Sequence, residues 1–268
     1  GGWPVMASDH PDRAADPGPF LFDPAEAAAL GLARARVLER IEHAAHRSGR
    51  SAAEIQLVAV SKMVPPGRLR AAVAAGLDVL GENRVQEALG KIDAVPGATW
   101  HLLGPLQSNK ARRAVERFAM IESVDSADLA ARLDRLAGEL RPGNRLPILL
   151  EVNVDADPAK AGFRPAELPG AVPGVLALPN LEIRGLMTVG RLVADTEAAR
   201  PTFVELRRLS EAVRRSNPGL GPELSMGMSD DFPIAVEEGA TIVRVGRALF
   251  GERPGAPASV PDRAARGG

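Results

Sequence analysis

The chain has 268 residues, with 33 Lys and Arg against 34 Asp and Glu, a net charge of −1, and no cysteine. That balance offers no field for nucleic acid or an anionic membrane surface. The missing cysteine excludes disulfides, thiolate metal sites and cysteine nucleophiles. Only 4 His are present (His10, His43, His46 and His101), so a zinc or non-haem iron centre is not expected, and no apolar run reaches the length of a membrane span, which points to the cytoplasm.

Residues 1–22 and 252–268 are rich in Gly, Pro and Ala and are predicted to be disordered flanks around a body at 23–251. Asp23-Pro24 opens a long helical pattern through Leu30, Val37, Ile41 and Ala45, with Asp23 as the cap and Pro24 at the first helical position. Short apolar strands then follow at 55–61, 78–81, 99–104, 119–124, 147–154, 182–189, 223–226 and 241–246. Helical patterns fill the gaps at 66–75, 85–92, 109–117, 126–140, 166–178, 196–216 and 230–238. Strands that alternate with helices pair in parallel. Eight such units predict a single α/β domain, a (β/α)8 TIM-type barrel with an extra N-terminal helix; an open doubly wound sheet is the alternative, because strand order is not written in one sequence. In either fold the site lies at the carboxyl ends of the strands.

The polar residues at those ends are therefore the candidates. The first strand ends in Ser61-Lys62-Met63, which sets Lys62 at the mouth. A partly desolvated lysine is nucleophilic enough to form a Schiff base with an aldehyde, although position alone favours a solvated loop lysine. The second strand runs into Glu82-Asn83-Arg84, where Asn83 either caps the next helix or faces a ligand. His101, in the third strand, reads as a hydrogen-bonded core group before it reads as a catalyst. Glu82 and Glu151 are the obvious inner acids, and both read equally well as structural partners of arginines. The fifth strand puts Asn153 near the mouth, and Lys160 and Gly162 follow in the loop. The seventh strand ends in Ser225-Met226-Gly227-Met228-Ser229-Asp230-Asp231, and the eighth carries Arg244 and ends at Gly246. Hydroxyls, glycine amides and a guanidinium after strands seven and eight suit a phosphate monoester. In a closed barrel strands one and eight are neighbours, so an amine and a phosphate cradle would hold the two ends of one small cofactor. Pyridoxal 5′-phosphate needs both.

The pieces Ala59-Val60-Ser61-Lys62, Gly81-Glu82-Asn83-Arg84-Val85-Gln86-Glu87, His101-Leu102-Leu103-Gly104-Pro105-Leu106-Gln107-Ser108-Asn109-Lys110, Gly185-Leu186-Met187, Leu224-Ser225-Met226-Gly227-Met228-Ser229-Asp230-Asp231 and Val243-Arg244-Val245-Gly246 span nearly the whole body. Together they resemble the pyridoxal phosphate homeostasis protein family. The histidine and Ser-Met-Gly-Met-Ser pieces are specific; the lysine piece alone is not. The resemblance implies a barrel like the N-terminal domain of alanine racemase and a Schiff base on Lys62. It also implies phosphate contacts from Ser225, Gly227, Arg244 and Gly246, with Asn83 and Met226 as further cofactor-binding residues. Met63 stands where the family pattern has Thr, and Leu102-Leu103 where Phe-Ile is more typical.

Three functions compete. A carrier that holds the cofactor for vitamin B6 homeostasis, handing it to apo-enzymes as a monomer without turnover, fits the resemblance. A pyridoxal-phosphate amino-acid racemase needs a second base, usually a tyrosine from an added β-rich domain. The sequence has no Tyr, and too few residues follow the eighth strand for such a domain, which leaves His101 as the substitute base. A barrel enzyme on a phosphorylated sugar lacks a convincing carboxylate pair. The carrier is the expected function.

Overall fold

The computed structural model describes residues 21–190 and 195–251. The flanks read as disordered therefore lie outside the described residues, except for Leu21 and Phe22. Leu21 O accepts a hydrogen bond from Arg70 Nε at 2.7 Å.

The first helix, α1 (Pro24–Arg47), starts as its sequence dictates: Asp23 accepts the Ala25 N–H at 2.9 Å and Pro24 fills a position that needs no donor. After it, among the described residues, eight parallel strands close into a barrel in chain order. They are β1 (Gln56–Val60), β2 (Val79–Glu82), β3 (Thr99–Leu102), β4 (Met120–Val124), β5 (Leu146–Glu151), β6 (Leu181–Met187), β7 (Glu223–Ser225) and β8 (Ile242–Val245). The helices α2 (Pro66–Ala74), α3 (Val85–Ile92), α4 (Ala111–Arg117), α5 (Ala127–Leu140), α6 (Leu168–Leu176), α7 (Arg200–Ser216) and α8 (Phe232–Glu237) lie in the gaps. The closing seam pairs Val58 with Arg244 and Ala59 with Val245, which rules out the open sheet.

Alternation along each strand sorts the side chains. Val58, Leu103, Met120, Leu149, Met187 and Ile242 pack together inside the ring. Ala59, Leu80, Leu102, Ile121, Leu150 and Val243 face outward into the larger core beneath the helices.

Element ends differ from the sequence pattern for local reasons. The helix predicted at 196–216 is a 3-10 turn (Thr196–Ala199) followed by α7, because Pro201 has no N–H to continue a ladder and is tolerated only in a first turn. The helix at 109–117 likewise begins as a 3-10 turn, Ser108–Lys110. β5 stops at Glu151 instead of 154: Val152 makes only an isolated bridge to Phe163, and the Asn153 amide turns to the carbonyls of Asp157 and Lys160. A short helix, α9 (Arg247–Phe250), follows β8 where a loop was expected.

Helix α1 braces the seam. It packs on α2, α8 and α9, the elements that flank β1 and β8. Its face of Leu30, Val37, Ile41 and Ala44 is buried, and Arg50, just beyond it, donates to Val236 O and Ala240 O at 2.8 Å each. Ile41 is 1% exposed, so Ile41→Ala is expected to lower stability by about 2–4 kcal/mol. Denaturant unfolding checks this: the midpoint should fall with the slope unchanged, whereas a loss below about 1 kcal/mol would show that α1 is not part of the cooperative unit.

Candidate functional site

The inward residues change character toward the carboxyl ends of the strands. Below the mouth sits a buried polar chain. His101 Nδ1 lies 2.7 Å from Glu122 Oε1. The Ser225 hydroxyl donates to Glu122 Oε2 at 2.6 Å and accepts from Arg244 Nη1 at 2.6 Å. Arg244 Nη2 donates to Thr188 O at 2.7 Å, and the Thr188 hydroxyl donates to Val152 O at 2.8 Å. Four strands and the β6 end are thereby tied together by groups that are all nearly inaccessible. Burial pushes the Glu122 carboxyl up, but the hydrogen bond and charge of His101, the Arg244 guanidinium and the Ser225 hydroxyl outweigh it and hold the group below its usual range.

Above this layer a cavity of about 620 Å³ opens, walled by Val60, Asn83, Leu103, Glu151, Lys160, Ser229, Asp231, Arg244 and Gly246 among others. Ser229 Oγ accepts the Gly246 N–H at 3.1 Å and the Ala248 N–H at 3.4 Å. Neither bond uses the hydroxyl's own proton. A Cβ on Gly246 would lie 3.4 Å from Val60 Cβ, so glycine leaves the wall open between β8 and β1. Lys160 Nζ donates to Val189 O and Gly190 O at 3.1 and 3.0 Å. Glu151 is pushed up to about 7, mainly by burial and also by the nearby charge of Asp125, against the pull of Arg244 and Lys160.

The sequence candidates fall in several places. Asn83, Arg244 and Gly246 stand on the cavity wall. Ser225 lies beneath it, committed to Glu122 and Arg244. Met226 is fully buried in the outer core with its N–H on Ile242 O at 3.1 Å, and Gly227 sits in the turn after β7 with its carbonyl accepting the Arg244 N–H at 3.0 Å. Gly227 is required there: its φ is +95°, and a Cβ would come within 2.6 Å of Ala235 Cβ. Lys62 is half-buried on the turn after β1. It is two residues beyond the wall residue Val60, and is not itself on the cavity wall.

Two readings of the acids are corrected. Glu82 faces out of the barrel, and its cation is Lys91 at 2.7 Å instead of an arginine. Glu122 is the inner acid that sequence reasoning missed. The signal was a single carboxylate inside the otherwise compact strand Met-Ile-Glu-Ser-Val, where a charge survives only with partners. Ser229, Glu151, Lys160 and Asp231 also line the cavity without having been chosen as binding residues.

The alanine racemase N-terminal domain family matches residues 37–254. A pyridoxal phosphate homeostasis protein of Pseudomonas aeruginosa is 45% identical over 230 residues, which is 84% of this chain and 96% of that protein. One from Escherichia coli is 39% identical over 229 residues, 82% of this chain and 94% of that protein. Among solved structures, PipY of Synechococcus elongatus with PLP bound is similar at a TM-score of 0.70 and 46% identity, covering 80% of this chain and all (100%) of that one. An alanine racemase of Clostridium difficile, at a TM-score of 0.62 and 14% identity over 81% of this chain and 60% of its own, shares the fold.

The raised Glu151 carboxyl makes stability depend on pH in a defined sense. Its pKa moves from an ordinary 4.5 to about 7 on folding, so between those values the folded state holds a proton that the unfolded chain has lost. Its contribution is full below the lower value and is lost as pH rises to the upper one, with a slope of at most about 1.4 kcal/mol per pH unit. Glu151→Gln is expected to flatten the fall in stability between about pH 5 and about pH 7.5. Equal slopes for both proteins in urea titrations would show that Glu151 ionises as an exposed carboxylate does.

Proposed function

The chain belongs to the pyridoxal phosphate homeostasis protein family, and on that premise we propose that it binds pyridoxal 5′-phosphate at the barrel mouth, holds it as a Schiff base on Lys62, and serves cofactor homeostasis without turning over a substrate. The observation that carries this reading is the β1–β8 register. It brings the strand that leads into Lys62 beside the strand that bears Arg244 and leads into Gly246.

The residues present fit such a group. The cavity, about 620 Å³, suits one small cofactor. When bound, the cofactor supplies an aldehyde for an amine and a phosphate monoester for fixed donors. Lys62 supplies the amine. Arg244, held by Ser225 and Thr188 O, offers a cation that cannot swing away. The Ser229 hydroxyl proton, which neither of that oxygen's bonds uses, supplies a short donor for a phosphate, and glycine at 246 leaves room for the phosphate to approach. Asn83 faces the same space from β2's end. Ser225, Met226 and Gly227 act from below and behind: Ser225 orients Arg244, and the Met226-Gly227 backbone fixes the turn that leads to Ser229.

The racemase alternative assigned its second base to His101. That ring is 3% exposed, bound to Glu122, and off the cavity wall. No helix among the described residues is long and apolar enough to cross a membrane. We read the protein as a cytoplasmic monomer that passes the cofactor to apo-enzymes.

Adding the cofactor, desalting, and recording the visible spectrum tests the reading. The parent should keep an absorbance band that borohydride locks onto Lys62, and Lys62→Ala should lose that band while melting at the same temperature. Incubation of the loaded parent with L-amino acids should leave their handedness unchanged. A band that survives in Lys62→Ala, or measurable racemisation, would overturn the assignment.

A further inference from the structure

Lys62 stands in a four-residue turn closed by the Val64 N–H on Ser61 O at 3.0 Å. The turn's third residue, Met63, takes φ +62°, a left-handed backbone that residues with a side chain rarely adopt. The Met63 side chain is 68% exposed, so its own packing does not hold it there. Surrounding groups must do so.

A compact charged cluster outside the cavity meets that need. Glu87 Oε1 accepts the Met63 N–H. The same oxygen accepts from Lys91 Nζ at 2.7 Å. Lys91, 7% exposed on α3, also donates to Ser61 O at 2.8 Å and Glu82 Oε1 at 2.7 Å. All three ammonium hydrogens are thus committed around this one turn. The Ser61 hydroxyl donates to the same Glu82 oxygen at 2.6 Å. The turn is gripped on both sides of Lys62: Ser61 through its carbonyl and hydroxyl, Met63 through its amide.

We propose that Glu87, itself held by Lys91, is a positioning residue that keeps the Ser61–Val64 turn in its left-handed form and so sets how long pyridoxal phosphate stays on Lys62. The proposal rests on the reading that Lys62 carries the cofactor. Release is a hydrolysis: the carbon–nitrogen bond breaks, one water supplies the aldehyde oxygen, and its two hydrogens end on the Lys62 nitrogen. No oxidant or reductant is needed. A turn that drifts from its held form moves Lys62 away from Ser229 and Arg244, and re-formation of the bond then competes poorly with escape.

The test uses Glu87→Gln, Met63→Gly and the double variant, because any loss of Lys91 would leave Glu82, whose second oxygen is already buried without a partner among the described residues, stripped of its cation. Pyridoxal phosphate is the probe. Borohydride trapping and mass spectrometry on the parent come first, and an adduct absent or elsewhere overturns the cofactor reading itself. Loss of the visible band after dilution is then timed. Glu87→Gln should lose it about tenfold faster than the parent, the scale of one charge-assisted hydrogen bond. Glycine is at ease at positive φ, so the double variant should match Met63→Gly alone within about twofold. On the cofactor-free proteins, amide hydrogen exchange at 61–64 should quicken in Glu87→Gln, a readout that stands whether or not the cofactor binds. Release from Glu87→Gln at the parent's rate, or unaltered exchange at 61–64, overturns the proposal. So does a double variant that is still fast, since Glu87 would then act through the charge it shares with Lys62 and not through the turn.

Discussion

Closure of the sheet at the β1–β8 seam is the constraint from which the rest of the structure follows. In an open sheet the first and last strands would lie far apart. Here Val58 pairs with Arg244 and Ala59 with Val245, which leaves Val60 facing Gly246 across a gap that a methyl group would begin to fill. The seam is costly to form, because its partners are separated by nearly the whole chain and loop closure must precede the contacts that repay it. Helix α1 and Arg50 answer that cost from outside, by packing across the elements on both sides of the seam and tying α8 to its following turn.

Inside the ring, polarity is layered. The lower interior is apolar and close-packed. The middle layer is a chain of buried ionic and hydroxyl groups from His101 to Thr188, in which Glu122 lies between His101 and Ser225, the Ser225 hydroxyl both donates and accepts, and the Thr188 hydroxyl donates to Val152 O. Such a chain is tolerable in a low-dielectric interior only when it is fully satisfied. Its product is a guanidinium that reaches the cavity floor already oriented. The upper layer lines the cavity with Glu151, Lys160, Asp231 and the Ser229 hydroxyl. The Lys62 turn is supported separately, from the space between β2 and α3, by Lys91, Glu82 and Glu87. The Lys62 turn and the Arg244 guanidinium are therefore held by separate networks on the two sides of the seam.

Much of this was legible in the sequence, and the misses have physical causes. The first helix could be read to its capping residue because Asp23, Pro24 and the buried stripe all act locally. The closed barrel was legible from eight alternations, and the open-sheet alternative fell only with the β1–β8 pairing, since hydrogen bonding between terminal strands leaves no mark in either one. Gly227 was legible as a close-approach position, although what comes close is Ala235 and Phe232 of the following helix. Ser225 and Met226 were picked from the same segment, yet one lies under the cavity and the other behind it, because adjacent strand residues point to opposite faces. Glu122 went unread for the complementary reason: its partners His101, Ser225 and Arg244 come from three other strands.

The sequence by itself determined the elements, their order, the absence of cysteine chemistry, and the segments that bear a lysine at one strand end and hydroxyls, glycines and a guanidinium at two others. Those features are local: they depend on periodicity, capping and residue type. Only the tertiary structure decided which of those residues share a wall, that Arg244 is fixed through Ser225 and Glu122, that Glu82 serves Lys91 outside the barrel, and that Met63 holds a left-handed turn beside Lys62. These depend on contacts between residues distant in the chain, and it is the closing of the ring, with the two faces of each strand sent to different surroundings, that creates them.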